Sequence, residues 1–493
     1  DVATMPRRST SVKRKTPARE SRSSTPSSSK RKNAQKRSDS VQKKKVVAKK
    51  TDRYTVISTT QSNIPLFQFT TSYIDEKNLK SAVQDYKYVS PTTTILERLF
   101  LIKYWNWLAT QYPKWLAPNV ITLTGFAAFV CPLFVAMYNG YLIGNGETPN
   151  WFLLLACVCQ FIYQSADGSD GPQARRLKCG SALGELVDHG ADAIISCLFS
   201  LSMAELTGVG MDSMYFPLLI IGAQMAFICS NTTLLHKGSQ AFSQLDAQEA
   251  QVVGQVMLFF VFVWNTVYET SGRVILETRV PVPEFFSSKL LDGPTAVGLE
   301  SFSHGVDVQA VTADGVQVRW LLVAGAIYST WKNALFDLIR CYSMYWSDGK
   351  NDQYAVGKGL KSFWNQALSF LVWNCIGMWS WHELMAHSGE EYFTSLLLPW
   401  FLAWAASYGD FCNHFLVIRV TRIPFHRFYR HRAFLWMVAI GLALHYSDPA
   451  NMILTVRCLS IAAILSHLHF CMSMGGKIGD ALNVPFFIVK SRA

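Results

Sequence analysis

Long apolar runs separated by short polar stretches dominate the chain after about residue 120. A helix of roughly 20 apolar residues is long enough to cross the hydrocarbon core of a bilayer. We predict ten membrane helices from these runs, at 120–142, 151–165 with a polar continuation, 182–206, 215–233, 252–269, 320–336, 363–385, 393–416, 433–446 and 452–472. The pattern therefore predicts an all-α polytopic membrane protein.

The residues just before the first run have a different pattern. Trp105, Trp107 and Tyr112 are interspersed with Arg98 and Lys103. A mixture of aromatic and basic residues at helical spacing is typical of a helix that lies in the membrane interface. We therefore predict that residues 86–119 form an interfacial amphipathic segment ahead of the first span.

These patterns divide the chain into four parts. The transmembrane domain is predicted at 120–472, with a long polar loop at 272–318 that contains Pro281 and Pro283. Residues 473–493 are less apolar and are predicted to form a C-terminal tail. Residues 1–53 form a separate N-terminal tail.

The basic excess of the chain lies entirely in that N-terminal tail. Residues 1–53 contain 18 basic and 4 acidic residues, whereas the remainder contains 28 basic and 30 acidic residues. A tail so polar is expected to be disordered, as a solvated arm or as a segment attracted to anionic lipid on the cytosolic leaflet. Because the rest of the chain is committed to membrane, we expect no nucleic-acid partner.

A cluster of carboxylates interrupts the apolar pattern between the second and third runs. Asp167, Asp170, Asp188 and Asp192 lie close to predicted hydrocarbon, where ionisable groups are costly and usually functional. Read as helix, the first two stand three residues apart and the last two stand four apart, so each pair shares a helix face. Two facing helices would bring the four carboxylates together, and such oxygen ligands suit a hard divalent cation such as Mg²⁺.

Small residues and an arginine lie among these aspartates. Gly171, Ala174 and Gly184 would let a large ligand, or the partner helix, approach the backbone, and Arg175 offers a guanidinium suited to diphosphate oxygens. Pro172 is expected to kink its helix, because proline removes one hydrogen bond and clashes with the carbonyl four residues earlier.

The order of these residues is that of a known family signature. The pattern D-x2-D-G-x2-A-R-x8-G-x3-D-x3-D, from Asp167 to Asp192, resembles the signature of the CDP-alcohol phosphotransferases. The flanking residues are similar to the choline/ethanolamine phosphotransferase branch, namely YQS at 163–165, QARR at 173–176, LGEL at 183–186, DHG at 188–190 and LAPNVIT at 116–122. Pro172 departs from that branch, which usually has lysine there.

The resemblance implies roles for individual residues. The four aspartates would hold Mg²⁺ or Mn²⁺, and His189 or Asp192 would accept a proton from the acceptor hydroxyl. Glu185 stands four residues before His189 on the same helix face, so its carboxylate can orient the imidazole. The residues expected to bind substrate are Asn119, Gln164, Gly171, Ala174, Arg175 and Gly184.

The implied reaction is transfer of phosphocholine or phosphoethanolamine from CDP-choline or CDP-ethanolamine to diacylglycerol. The resemblance also implies a homodimer in the endoplasmic reticulum or Golgi membrane. The site is expected to open to the cytosol for the soluble nucleotide, and the positive-inside rule favours a cytosolic N-terminal tail. A related enzyme that uses another alcohol or acceptor is one alternative. A transporter whose carboxylates bind cations is the alternative from a different class.

Overall fold

The structure is a computed structural model of the chain. It describes residues 73, 79–84, 86, 93–144, 146–237, 246–270, 273–281, 311–312, 315–347, 360–387, 392–421 and 432–483. The predicted N-terminal tail, 1–53, lies outside these residues.

Helices form almost all of the described part of the chain. A short helix α1 (Leu79–Gln84), a π-helical turn (Glu97–Leu101) and α2 (Ile102–Gln111) come first. Ten longer helices follow within the described residues, and each overlaps one predicted run: α3 (Pro118–Asn139), α4 (Asn150–Leu177), α5 (Ala182–Thr207), α6 (Tyr215–Lys237), α7 (Ala247–Val267), α9 (Val318–Ser347), α10 (Leu360–Met385), α11 (Phe393–Thr421), α12 (Arg432–Tyr446) and α13 (Pro449–Leu482).

Five of these helices are long and apolar enough to cross a membrane by length and composition. In the part of the chain that the structure describes, they are α3, α5, α6, α7 and α13. The protein is therefore a polytopic helical membrane protein, as predicted, while the count of ten spans stays a prediction. The interfacial position of α2 also stays a prediction, supported by Phe100 and Trp107, which expose more than half of their surface.

Several predicted boundaries differ from the structure; α9, for example, continues to Ser347 instead of ending at residue 336. The predicted polar loop contains α8 (Val274–Glu277) and a three-stranded antiparallel sheet of β1 (Arg279–Val280), β2 (Val311–Thr312) and β3 (Gly315–Gln317), in the order β1-β3-β2. The predicted end of the last helix at residue 472 is wrong, because α13 continues to Leu482. Met474 and Ile478 are buried in one cluster with Leu79 and Val83 of α1, so packing extends the helix beyond its apolar run.

Specific contacts fix the ends of the helices that surround the aspartates. Gly140 and Gly208, with φ of 69° and 65°, end α3 and α5 in the left-handed conformation that glycine adopts easily. Asp246 and Glu249 form a capping box at the start of α7. Glu249 Oε1 also accepts a hydrogen bond of 2.9 Å from the backbone N–H of Leu96, which ties the chain before α2 to α7.

A buried ion pair closes the end of α5 that lies farthest from the aspartates along the helix. The guanidinium of Arg273 contacts Glu205, and both side chains are 2% exposed. Thr148 and the backbone N–H of Gly144 also donate to the Glu205 carboxylate, the latter at 2.6 Å. Sequence reading missed this contact because Arg273 lies in the predicted polar loop.

Helix α11 lies at the centre of the largest hydrophobic core. Its Trp400, Trp404 and Tyr408 are fully buried. The Trp400 indole donates a 2.9 Å hydrogen bond to Ser380 Oγ of α10, and the Tyr408 hydroxyl donates a 2.7 Å bond to the backbone oxygen of Gln224 in α6. Helix α11 also packs on α5. It therefore supports the helix that carries Asp188 and Asp192.

Candidate active site

Two helices and a tight turn carry the whole aspartate motif. Helix α4 runs unbroken through Pro172 and ends at Lys178, which has a left-handed φ of 53°. Helix α5 begins after Ser181, whose hydroxyl accepts a 3.2 Å hydrogen bond from the backbone N–H of Gly184. The connection is so short that the carboxylates of the two helices meet at one end of the bundle.

Three of the four aspartates converge. Oxygen atoms of Asp167, Asp188 and Asp192 all lie within 4.8 Å of one another. The Tyr163 hydroxyl donates a 2.6 Å hydrogen bond to Asp192 Oδ1, and Asp188 Oδ1 is buried without a hydrogen-bond partner. Three hard oxygen ligands at this separation, one of them otherwise unsatisfied, fit a divalent cation of the Mg²⁺ type.

Asp170 lies beside this group with a partner of its own. It is buried, and its carboxylate accepts a hydrogen bond from the Thr122 hydroxyl in the first turns of α3. The predicted convergence of all four carboxylates is therefore seen for three of them. The role of Asp170 as a metal ligand stays a prediction.

The two arginines in the last turn of α4 differ in their partners. Among the described residues, the Arg175 guanidinium has no hydrogen bond or ion pair, although a Cβ added to Gly171 would lie 3.3 Å from its Nη1. The neighbouring Arg176 is already engaged, since its Nη1 donates to the backbone oxygens of Ala109 and Tyr112 at 2.6 and 2.8 Å. Of the two arginines, Arg175 is the one available to an anionic ligand.

Asn119 and Gly184 are neighbours across the site. A Cβ added to Gly184 would lie 3.8 Å from Asn119 Oδ1. Helix α3 approaches α4 closely one turn further on, where a Cβ on Gly125 would lie 2.7 Å from the Ala166 Cβ. The close helix crossing brings the start of α3, with Asn119, to the motif.

Gln164 differs from the other predicted substrate-binding residues. Its amide nitrogen donates to the backbone oxygen and side chain of Gln248 at 3.1 and 2.9 Å, and its oxygen accepts from Gln255 at 3.1 Å. These bonds join α4 to α7, so the structure gives Gln164 a packing role. Its predicted contact with substrate stays a prediction.

The surroundings of His189 are only partly those expected. Its Nδ1 lies 3.5 Å from Asp192 Oδ2, which is too long for a strong hydrogen bond. The Glu185 carboxylate instead accepts a hydrogen bond from the Tyr86 hydroxyl and lies 3.8 Å from Arg419 Nε. The predicted pairing of Glu185 with His189 stays a prediction.

A second face of α4 is held by α2, and sequence reading missed this contact. A Cβ on Gly168 would overlap the Trp105 ring, and the hydroxyls of Tyr104 and Tyr112 lie 3.1 and 2.9 Å from Ser165 Oγ and Ser169 Oγ. The signal was available in the small residues Ser165, Gly168 and Ser169. They recur at helical spacing on one face of α4.

Comparison with known proteins agrees with this site. A family model described as CDP-alcohol phosphatidyltransferase matches residues 115–282. The cholinephosphotransferase 1 of Danio rerio is 31% identical over 200 residues, 41% of this chain and 50% of the relative. The choline/ethanolaminephosphotransferase 1 of Saccharomyces cerevisiae is 40% identical over 134 residues, 27% of this chain and 33% of the relative.

An uncharacterized class-I family protein of Dictyostelium discoideum is also similar, at 31% identity over 206 residues, 40% of this chain and 53% of the relative. The chain thus spans about half or less of the length of these relatives. The match nevertheless includes every aspartate of the site together with His189 and Arg175. Residues 115–282 of this chain, which hold the candidate site, are therefore similar to the CDP-alcohol phosphatidyltransferases.

Proposed function

We propose that the protein transfers phosphocholine or phosphoethanolamine from the CDP-alcohol to diacylglycerol. The products are CMP and phosphatidylcholine or phosphatidylethanolamine. The observation that carries the proposal is the convergence of Asp167, Asp188 and Asp192 within 4.8 Å beside His189. The transferred group follows the names of the relatives, a cholinephosphotransferase and a choline/ethanolaminephosphotransferase. The CDP-alcohol donor and the diacylglycerol acceptor follow from the resemblance of the aspartate motif.

The converging carboxylates would hold one or two Mg²⁺ or Mn²⁺ ions, with Asp170 as a further ligand. When bound, such a cation neutralises the charge that develops on the diphosphate as the bond to CMP breaks. Arg175 would grip a phosphate oxygen with its otherwise unpaired guanidinium. Gly171, Ala174 and Gly184, with Asn119 and Gln164, would line the space for the nucleotide.

His189 would remove the proton from the diacylglycerol hydroxyl. Its imidazole is a suitable base because Asp192 lies 3.5 Å from Nδ1 and can stabilise the protonated ring. Glu185, one turn earlier on the same face, would orient the ring. Asp192 remains the alternative base, because it also adjoins the imidazole.

The site would open to the cytosol for the soluble donor and sideways to the bilayer for the lipid acceptor. We further propose that the protein acts as a homodimer in the membrane of the endoplasmic reticulum or Golgi. The N-terminal tail would then face the cytosol, as expected for a basic segment.

The decisive experiment is an assay of purified protein in lipid nanodiscs. Diacylglycerol is supplied with CDP-choline or CDP-ethanolamine in parallel, and release of CMP is measured with and without added Mg²⁺. We expect CMP and the corresponding phospholipid to form only when the metal is present. Full CMP release in excess chelator would contradict the proposed metal binding by the carboxylates. If no CMP is released with either CDP-choline or CDP-ethanolamine, the cation-transport alternative is favoured.

A pair of aspartate variants sharpens the assay. Asp188→Ala should lower turnover by about a hundredfold or more, since a lost metal ligand disrupts both positioning and charge neutralisation. Asp480→Ala removes an exposed carboxylate near the end of α13 and should leave turnover unchanged. Donor binding, measured separately, should weaken only in Asp188→Ala.

A further inference from the structure

The Glu185 carboxylate is held from two other parts of the chain. The Tyr86 hydroxyl, ahead of the first long helix, donates to its Oε2, and Arg419 Nε of α11 lies 3.8 Å from its Oε1. The Arg419 guanidinium also stacks over the Tyr86 ring at 5.6 Å. The side chains of Glu185 and Arg419 are 2% and 4% exposed, so this ion pair is shielded from water.

Stability alone is a weak reason for this arrangement. A buried ion pair often contributes little net stability, because desolvation of the charges offsets their attraction. The position of the pair is more informative. Glu185 and His189 share a face of α5 one turn apart, and both Glu185 Oε1 and His189 Nδ1 are buried without a hydrogen-bond partner.

We propose that Tyr86 and Arg419 are positioning residues that act on His189 through Glu185. Tyr86 occupies Oε2, and Arg419 lies beside Oε1 at a distance that leaves Oε1 without a hydrogen bond. Together they limit the rotamers of Glu185, while Oε1 stays available to the imidazole. The inference rests on the proposed function, in which His189 is the base. It extends the site beyond residues 115–282, the part of the chain that matches the family model.

A second tyrosine of the same N-terminal segment supplies a matched control. The Tyr73 hydroxyl lies 2.7 Å from His469 Nδ1 and accepts a 2.9 Å hydrogen bond from Arg432. Arg432 is paired in turn with Asp410 at 2.6 Å. Tyr73 therefore fastens the same segment to the bundle without touching Glu185, which separates loss of anchoring from loss of positioning.

The experiment compares Tyr86→Phe, Tyr73→Phe, Glu185→Gln and the double variant Tyr86→Phe/Glu185→Gln in the full-length protein. For each, kcat, KM for the CDP-alcohol and the melting temperature are measured. We expect Tyr86→Phe to lower kcat by about 10- to 100-fold, as removal of an outer hydrogen-bond partner typically does. KM and the melting temperature should stay near the wild-type values.

The double variant identifies the route of the effect. If Tyr86 acts through Glu185, Tyr86→Phe should cause no further loss of kcat in the Glu185→Gln background. Arg419→Lys should retain more kcat than Arg419→Met, since it preserves the charge beside the carboxylate.

Several results would overturn the inference. The positioning role would be refuted if Tyr86→Phe kept the wild-type kcat. It would also be refuted if Tyr86→Phe lowered kcat by the same factor in the wild-type and in the Glu185→Gln backgrounds. If Tyr86→Phe and Tyr73→Phe lowered both kcat and the melting temperature to the same extent, the segment that contains the two tyrosines would only stabilise the fold. A wild-type protein inactive with both donors would instead overturn the proposed function and the inference with it.

Discussion

At the scale of single residues, His189 and Asp192 are the two candidates for the base that accepts the proton. Asp192 belongs to the converging carboxylates and also accepts a hydrogen bond from Tyr163, so it has two duties before any proton is transferred. The His189 Nδ1 has no hydrogen-bond partner. This difference in surroundings favours His189 as the base.

Substitution of His189 should therefore separate turnover from donor binding. His189→Ala should lower kcat by about a hundred- to ten-thousandfold, the usual loss when a general base is removed. Its affinity for the CDP-alcohol should stay near that of the wild type, whereas Asp192→Asn should weaken donor binding as well. Near-normal turnover in His189→Ala would assign the base to Asp192.

The residues of the motif could be identified from the sequence, but their partners could not. Spacing placed Asp167 with Asp170 on one helix face and Asp188 with Asp192 on another. Of these four carboxylates, expected to converge, the structure brings Asp167, Asp188 and Asp192 together. No local pattern pairs Glu185 with Tyr86 or Arg419, because these residues lie 99 and 234 positions away. Long-range hydrogen bonds leave no periodic signal in a sequence.

At the scale of helices, α2 and α4 form one unit. Arg176 and Gln173 bind backbone oxygens at the end of α2 and just after it, and Trp105 lies directly over Gly168. Helix α2 therefore holds α4 from one side and fixes its position. Asp167 lies on the opposite face of α4. The sequence indicated an interfacial helix here, and only the small residues Ser165, Gly168 and Ser169 signalled that another helix packs on this face of α4.

A methyl group at Gly168 should disturb this unit. Gly168→Ala forces α2 away from α4, because the added Cβ would overlap the Trp105 ring. We expect a lower melting temperature and a loss of kcat. Gly180→Ala is the control, since its Cβ would meet no atom within 4 Å, and equal behaviour of the two variants would contradict the prediction.

The buried Arg273–Glu205 ion pair should stabilise the opposite end of α5. Removal of Arg273 alone leaves a buried carboxylate without its counter-charge, which typically costs about 3–5 kcal/mol. Arg273→Met should therefore lower the melting temperature strongly, and the double variant Arg273→Met/Glu205→Met should recover part of the loss. Denaturation in detergent measures both, and a double variant less stable than Arg273→Met would refute the argument.

At the scale of the whole molecule, the sequence predicted the ten long helices within the described residues because apolar periodicity is a strong signal. It failed where burial is created by partners remote in sequence. The last turns of α13 are helical because Met474 and Ile478 pack against α1, although their own composition resembles a tail.

The tail at 1–53 should be dispensable for chemistry. It contains no residue of the proposed site, and among the described residues Tyr86 is the first along the chain that contacts Glu185. A protein that starts at residue 54 should keep wild-type kcat in detergent, and it should bind more weakly to vesicles rich in anionic lipid. A folded but inactive truncation would show that the tail takes part in the reaction.

The 34 residues of α13 give the helix a length of about 51 Å at 1.5 Å per residue. That length exceeds the hydrocarbon core of a bilayer, about 30 Å, by several turns. The helix is therefore long enough to cross the bilayer completely, and its polar last turns can project beyond the membrane into water. The exposed Asp480 lies in those turns, so a fluorophore or antibody epitope attached there would report the sidedness of the protein without entering the catalytic bundle.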